Sequence, residues 1–294
     1  MTSRPWRFAL PLGLAFIAMA TNTEAQTERS YRTVSMSRQF VDESDITLRV
    51  RFALGHFNLG RDQGGALYRS QLVYDEELFE PVHQYDRDSR TLNIEIKTEG
   101  SRRVNLNVQD FRDLRQRLDV TLSPAVPARV DLEFGVVRAD LDLGGLALID
   151  ATIKSGASET TLRFSRPTTM PCERLHVETG AAELRVDGLG NSNCSTMEFE
   201  GAAGTFILDF TGEWQHQGET DVKIKLGVGA LTLRFPEDLG VAVSLDRFLA
   251  TFDRSGFIKR GDVYYSSNYT DAATKLRLEI NAAFGDINVE WLSR

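Results

Sequence analysis

The 294-residue sequence predicts an all-β fold: a β-solenoid of stacked two-strand coils with glycine turns, preceded by an irregular β region. Three observations predict it. Short segments alternate apolar and polar residues, the period-two signature of a strand with one buried face. An apolar residue recurs through the second half at Leu141, Leu162, Leu184, Leu208 and Leu233, at intervals of 21, 22, 24 and 25 residues, with Leu143, Phe164, Val186, Phe210 and Phe235 two positions further on. A glycine stands four or six residues before each of these anchors, at Gly135, Gly156, Gly180, Gly204 and Gly229. A period of this length belongs to coils that bury an apolar face only by stacking on their neighbours, and the glycines fall where a tight turn or bulge demands positive φ.

The chain opens with Arg4 and Arg7, an apolar run over residues 8–20, and small or polar residues up to Ala25. This is the pattern of a signal peptide, with cleavage behind Ala20 or Ala25, and the run is too short to span a bilayer. The full chain carries 34 basic and 42 acidic side chains, a net charge of −8; removal of residues 1–25 leaves 32 and 41, or −9. An acidic surface argues against nucleic acid and anionic lipid as partners. No later stretch has the eighteen or so apolar residues of a membrane helix, so no membrane insertion is expected. The expected location is extracytoplasmic, periplasmic or secreted.

Residues 26–123 form the irregular β region. It uses the same unit, with Ile46, Leu48, Val50 and Phe52 before Gly55, then Phe57 and Leu59. Further strands are expected over residues 67–74, 91–96, 104–108 and 118–122; residues 109–117, with Phe111 and Leu114, have helical spacing but are short and charged. Pro124 and Pro127 mark a change of direction, after which the solenoid covers residues 124–294. Incoming strands alternate at Val130, Leu132 and Phe134, at Leu175 and Val177, at Met197 and Phe199, at Val222, Ile224 and Leu226, and at Leu276, Leu278 and Ile280. Residues 236–273 interrupt the spacing as an irregular coil. The last coil repeats the pattern with Gly285, Ile287, Val289 and Trp291, and Trp291 is expected to plug that end.

Little in the sequence carries chemistry. Cys172 and Cys194 lie 22 residues apart, one repeat, each three positions before a strand residue, Leu175 or Met197. Stacked strands lie about 4.8 Å apart, within the reach of a disulfide, and export supplies an oxidising compartment; two buried free thiols are the other reading. Two cysteines and the scattered His56, His83, His176 and His216 give no metal-ligand spacing. None of the histidines sits in a nucleophile motif, and no phosphate loop or dinucleotide fingerprint is present, so no catalytic residue, metal or cofactor is assigned. One position after each anchor stands Asp142, Arg163, Arg185, Asp209 or Arg234, a ladder that reads either as a binding stripe or as a solvated face with charges paired between coils. Phe257, Tyr264, Tyr265 and Tyr269 in the irregular coil read either as a binding surface or as an end cap. Trp214, among polar residues, marks a loop between coils, and Asn268-Tyr269-Thr270 fits a glycosylation sequon by chance.

With the glycine turns, residues 92–103, Leu118 to Leu122 followed by Pro124 and Pro127, and the run Leu141-Asp142-Leu143-Gly144-Gly145-Leu146, the chain resembles the bacterial toast-rack domain family, which overlaps with adhesin-like solenoids and with the extracellular domains of envelope-stress regulators of the LiaF type. Gly256, Tyr264, Tyr265, Asn268, Tyr269 and Lys275 to Ile280 look like the closing coil of such proteins. The resemblance covers most of residues 40–294. It implies a β-solenoid at the cell envelope and carries no catalytic residue across. Those regulators have membrane helices where this chain has a cleavable leader. The expected function is a non-enzymatic interaction or scaffold protein that contacts envelope protein or polymer. The alternative is a polysaccharide-acting enzyme or glycan-binding protein on the same scaffold, and end-to-end self-association through an exposed coil edge is a third reading.

Overall fold

The computed structural model describes residues 30–98, 115–215 and 218–293. The leader, the strand expected over residues 104–108, most of the helical candidate (109–114) and His216 lie outside the described residues. The described residues contain no α-helix; one short 3₁₀ turn, Leu189–Asn191, is embedded in strands.

Long strands make the body of the fold. These are β2 (Ile46–Arg61), β7 (Ala128–Asp142), β8 (Leu148–Arg163), β9 (Cys172–Asp187), β10 (Cys194–Asp209), β11 (Gly218–Pro236) and β15 (Thr274–Leu292). Each was expected as two strands joined by a glycine turn. Each instead runs as one strand bent in the middle, so a coil has two arms and a corner. All are parallel neighbours in the order β2-β7-β8-β9-β10-β11-β15. Period-two alternation places Val130, Ala151, Leu175, Met197, Val222 and Leu278 side by side, and Leu132, Ile153, Val177, Phe199, Ile224 and Ile280 in the next inward column, all buried. Like stacked on like gives each coil an apolar face that only its neighbours cover.

The stack begins before Pro124, because β2 pairs with β7 along both arms, from Ile46 beside Ala128 to Leu59 beside Leu141. The other side of β2 is covered in two halves. The strand β5 (Thr91–Thr98) pairs with its first arm and β6 (Arg117–Leu122) with its second. Antiparallel strands extend each half: β4 (Phe79–Asp86) on β5, and β3 (Ala66–Asp75) then β1 (Tyr31–Gln39) on β6. The turn from β2 into β3 is held by Asp62, whose buried carboxylate accepts from Gly64 N at 2.8 Å, Ala66 N at 2.9 Å and Arg69 Nε at 2.8 Å.

At the opposite end the chain departs from the expected order. Residues 236–273 do not interrupt the stack; they supply its last member, β12 (Gly240–Phe252), and a hairpin of β13 (Phe257–Arg260) and β14 (Val263–Ser266). The C-terminal strand β15 is inserted between β11 and β12, pairing in parallel with both. Trp291 is therefore not the end plug. Its ring lies 5.4 Å from Phe235 and 5.4 Å from Phe257, and its Nε1 donates to Ser255 O at 2.9 Å.

Register also corrects the repeat. Leu141, Leu162, Val186, Leu208, Leu233 and Val289 form one column, so the steps from β7 to β11 are 21, 24, 22 and 25 residues. Leu184 lies in the column before, beside Thr160 and Phe206. The mid-strand glycines split in the same way. Gly55, Gly204, Gly229 and Gly285 share one column and take positive φ, from 126° to 148°. Gly135, Gly156 and Gly180 share the corner column and take no left-handed φ, contrary to the expected reason for their presence. A Cβ there would run into the carbonyl of the preceding coil: Ala53 O for Gly135, Gly135 O for Gly156 at 2.9 Å, and Gly156 O for Gly180. At these three positions of the corner column a side chain is excluded because backbone approaches backbone.

Cys172 and Cys194 stand opposite each other in the β9–β10 ladder and are joined as a disulfide with their Cα atoms 4.1 Å apart. The bond sits at the start of the coils, both residues buried.

Three outcomes follow from this packing. Gly135→Ala and Gly180→Ala should each lower stability by more than about 1 kcal/mol, and Gly156→Ala, where the carbonyl stands further off, should lower it least; denaturant midpoints of the three variants give the order. Replacing both cysteines by serine should cost roughly 3 kcal/mol for a closed loop of this length, measured as a fall in the same midpoint and reproduced in the native chain by reductant. For Asp62, burial works upward, but the Arg69 guanidinium and the Ala66 and Gly64 N–H groups outweigh it and hold the carboxyl below the usual carboxylate range. Its contribution is present above the unfolded-state pKa of about 3.9 and is lost as pH falls through the lower folded value, so Asp62→Asn should be less stable at neutral pH and show a shallower acid-side decline in melting temperature.

Candidate interaction surfaces and family

The residues singled out as a charge ladder are engaged in ion pairs and turns, and they do not all share one column. Column by column, Asp142 stands beside Arg163, Arg163 beside Asp187, and Asp209 beside Arg234, which stands beside Glu290. Arg185 lies one inward–outward step earlier, the same two-residue slip that displaced Leu184. Arg163 pairs with Asp140, Arg185 Nε with Asp187 at 2.8 Å, and Arg234 Nε with Glu290 at 2.7 Å. Asp142 accepts from Gly144 N at 3.0 Å and Asp209 from Thr211 N at 2.8 Å, each starting the turn out of its strand. A second, unforeseen row on the first arm pairs in the same manner: Arg51 with Glu133 at 3.3 Å, Lys154 with Glu178 at 3.0 Å and Lys225 with Glu200 at 2.8 Å. Exposed pairs of this kind contribute about 1 kcal/mol or less each. They tie neighbouring coils to one another on both outer faces.

The aromatic group is divided between two environments. Phe257 and Tyr264 turn inward and close the core: Tyr264 packs edge-on against Phe252 at 5.2 Å, and Phe257 lies 5.9 Å from Phe252 and 5.4 Å from Trp291. Tyr265 and Tyr269 turn outward as an edge-on pair 5.0 Å apart. Tyr269 donates its hydroxyl to Glu219 at 3.0 Å, and Lys275 Nζ lies 5.4 Å from its ring. Burial, followed by the Glu219 carboxylate, pushes the Tyr269 phenol up. Asn268 uses its side chain inside the fold, donating to Glu237 O at 3.0 Å and Leu239 O at 3.2 Å. Trp214 folds back onto its own coil, its Nε1 donating to Phe210 O at 3.0 Å.

One pairing escaped the sequence. His83 Nε2 and Ser70 Oγ meet at 2.7 Å where β3 and β4 face each other across the core. Burial pushes the imidazole down toward its neutral form, and Ser70 is itself buried. The contact is a partly buried hydrogen bond between the two strands. His176, half-buried on β9, places Nδ1 3.2 Å from Glu198 on β10. Among the described residues no group of three or more His, Cys, Asp and Glu is placed to hold a metal ion.

The corner itself is the other unforeseen surface. Outside the bend, Leu54, Val136, Ala157, Ala181, Ala203, Val228, Phe284 and Leu249 form one apolar column across eight strands. Beside it runs the corner column of glycines and alanines, which ends in Phe248. The column widens toward β12, where Phe248 is 75% and Leu249 65% exposed and the Phe248 ring meets Phe284 edge-on at 5.8 Å. On the first-arm side of the corner lies a groove of about 950 Å³, with Lys154, Glu178, Glu200 and Lys225 along its wall and Phe248 at its end.

No curated protein matches the chain in sequence. Among solved structures it is similar to a candidate cell adhesion protein from Clostridium sporogenes (18% identity, 90% of this chain and 100% of that one, TM-score 0.47). It is also similar to an adhesin candidate from Bacteroides fragilis (10%, 89% and 98%, TM-score 0.38) and to a candidate lipid binding protein from Parabacteroides distasonis (11%, 89% and 96%, TM-score 0.35). Residues 190–289 match the family described as cell wall-active antibiotics response LiaF, C-terminal. Residues 22–172, just over half of the chain, match the N-terminal domain of toast_rack, DUF2154, and the chain belongs to the toast-rack family.

Proposed function

We propose that the protein is exported and acts at the cell envelope as a non-enzymatic interaction or scaffold protein, its elongated stack contacting envelope protein. The observation that carries the reading is the disulfide between successive coils, Cys172 to Cys194. Such bonds persist in oxidising compartments. The match of residues 190–289 to a cell wall response family supports the envelope as the place of action. The side-chain chemistry supports contact over catalysis: the groove carboxylates Glu178 and Glu200 are paired with lysines, and Ser70 and His83 bond to each other between partly buried strands.

Glycan binding is the second reading, favoured by the groove on the first-arm side of the corner. Glu178 and Glu200 stand side by side there on adjacent coils, but Lys154 and Lys225 hold them, and the bond to Lys154 keeps the Glu178 carboxyl below its usual range. A glycosidic general acid needs the opposite shift. The groove thus supports holding a polymer more than cutting it.

Expression in a bacterial host followed by fractionation tests export: the protein should appear outside the cytoplasm, shortened at its N-terminus, with both cysteines protected from alkylation until reduced. Purified protein should then retain envelope protein, and Tyr265→Ala/Tyr269→Ala should reduce that retention severalfold at a temperature where circular dichroism shows the variant still folded. Cytoplasmic protein with free thiols overturns the export reading. Retained glycan, lost on Lys225→Glu, would replace the scaffold reading by the glycan one, and shortening of that glycan with time would restore the enzyme.

A further inference from the structure

The end of the stack at β12 is open where the rest of the parallel stack is closed. On the outer side of β12, β14 pairs only with Ala242, Val243 and Ser244. From Leu245 to Phe252 the strand is paired with β15 on its inner side and has no outer strand among the described residues. Free edges are normally blunted by proline, charge or brevity. The other edges of this sheet are: β4 contains Pro81, β1 carries Arg32 and Arg38, and β13 is a four-residue strand with Lys259 and Arg260. Open β12 carries Asp246 and Arg247 too, but beside them it presents the two most exposed of the large apolar side chains near the corner, Phe248 and Leu249.

Any strand that covers this edge on both arms must bend at the corner, because every full-length strand of the stack bends there. A straight peptide would cover one arm only. A second β12 is already bent, and its pattern of faces is self-complementary. Leu245, Arg247, Ala250 and Phe252 continue the inward columns of the stack, whereas Asp246, Leu249 and Thr251 continue the outward ones, with Phe248 at the corner beside Leu249. Two successive outward residues thus occupy the bend.

We infer that two copies of this chain associate through the β12 edges, antiparallel, about a two-fold axis between Phe248 and Leu249. In this register Leu245 lies opposite Phe252 of the second copy, Arg247 opposite Ala250, Asp246 opposite Thr251, and Phe248 opposite Leu249. Every pair joins inward to inward or outward to outward, and bend meets bend. A shift of one residue sets inward side chains against outward ones along the strand. The contact is isologous, so it closes at two copies and does not propagate into a filament. Arg247 Nη1, which donates to Ala250 O at 2.7 Å in the single chain, gives up that carbonyl to the new ladder. The apolar column of the corner then continues through Phe248 and Leu249 of one copy into those of the other, which removes its widest part from water.

The inference is independent of the envelope reading, and its test uses purified protein alone. Sedimentation over a concentration series should show reversible monomer–dimer exchange. Phe248→Glu should raise the dissociation constant by at least about tenfold, while Val136→Glu, in the same apolar column at the far end of the stack, should leave it unchanged. Both side chains are exposed, and equal melting temperatures under monomeric conditions confirm that both variants are folded. For the register, Asp246→Cys/Thr251→Cys should form a covalent dimer on mild oxidation and Asp246→Cys alone should not. Monomer at every concentration, a dimer indifferent to Phe248→Glu, or the absence of cross-linking in the double variant each overturns it.

Discussion

The fold depends on one constraint, the approach of backbone to backbone at the corner. At the bends of β7, β8, β9 and β11 the carbonyl of the preceding strand points at Gly135, Gly156, Gly180 or Gly227, and a side chain there would occupy the space of that carbonyl. The bend therefore has to recur at the same place in every coil. Once it does, the parallel ladders on both arms are fixed in register, and like columns stack along the whole body. The disulfide, the inter-coil ion pairs and the exposed apolar column are all consequences of that alignment. Each joins residues that are far apart in the sequence but equivalent in successive coils.

Register also requires the ends to be finished, and the two ends differ. At β2 two separate half-layers cover the two arms, and they meet through Tyr68 and Tyr85, whose rings lie 5.6 Å apart, with Arg38 4.9 Å from the Tyr85 ring. At the other end the chain overshoots. After β11 it runs through β12 and the hairpin before β15 returns into the place beside β11. Apart from its early contacts with β14, β12 has no neighbour until the last strand of the described chain arrives. Each contact of β15 with β11 spans 56 residues and each of β2 with β7 spans 82, against 20 to 25 between the coils from β7 to β11. Loop closure makes such contacts costly to form early, so both ends of the stack are less locally specified than the steps from β7 to β11.

What the sequence disclosed follows from this division. Period-two alternation and a recurring glycine identified the coils, and Cys172 and Cys194 were legible as one repeat apart because a disulfide needs only equivalent positions. The slip at β9 was not legible. Leu184 and Val186 are both apolar and both inward, so a shift of two residues preserves the burial pattern, and only the hydrogen-bonded neighbours decide between them. Nor does a glycine announce whether it is required for its φ, as at Gly204, or for the absence of a Cβ, as at Gly180. β12 was read as part of an irregular coil because residues 236–273 interrupt the repeat spacing, and that spacing is broken because the C-terminal strand β15 returns to lie between β11 and β12. The Ser70–His83 contact joins strands that share no ladder, and no spacing reports it.

The ion pairs bear on specificity more than on stability. Parallel strands of similar composition could pair one coil out of step, since the inward columns are all aliphatic or aromatic. The outward columns are not interchangeable. Lys154 lies between Glu133 and Glu178 and Lys225 beside Glu200, although Glu178 and Glu200 are themselves neighbours; a strand displaced by one coil would set Glu178 next to Glu133 and leave Lys154 without its partner. Each correct pair contributes little in water, and the loss of those around Lys154 is the part of the difference that favours the native register. The ion pairs thus occupy part of the charge on the flat outer faces, whereas the apolar area left exposed is greatest at the corner where β12 ends the stack.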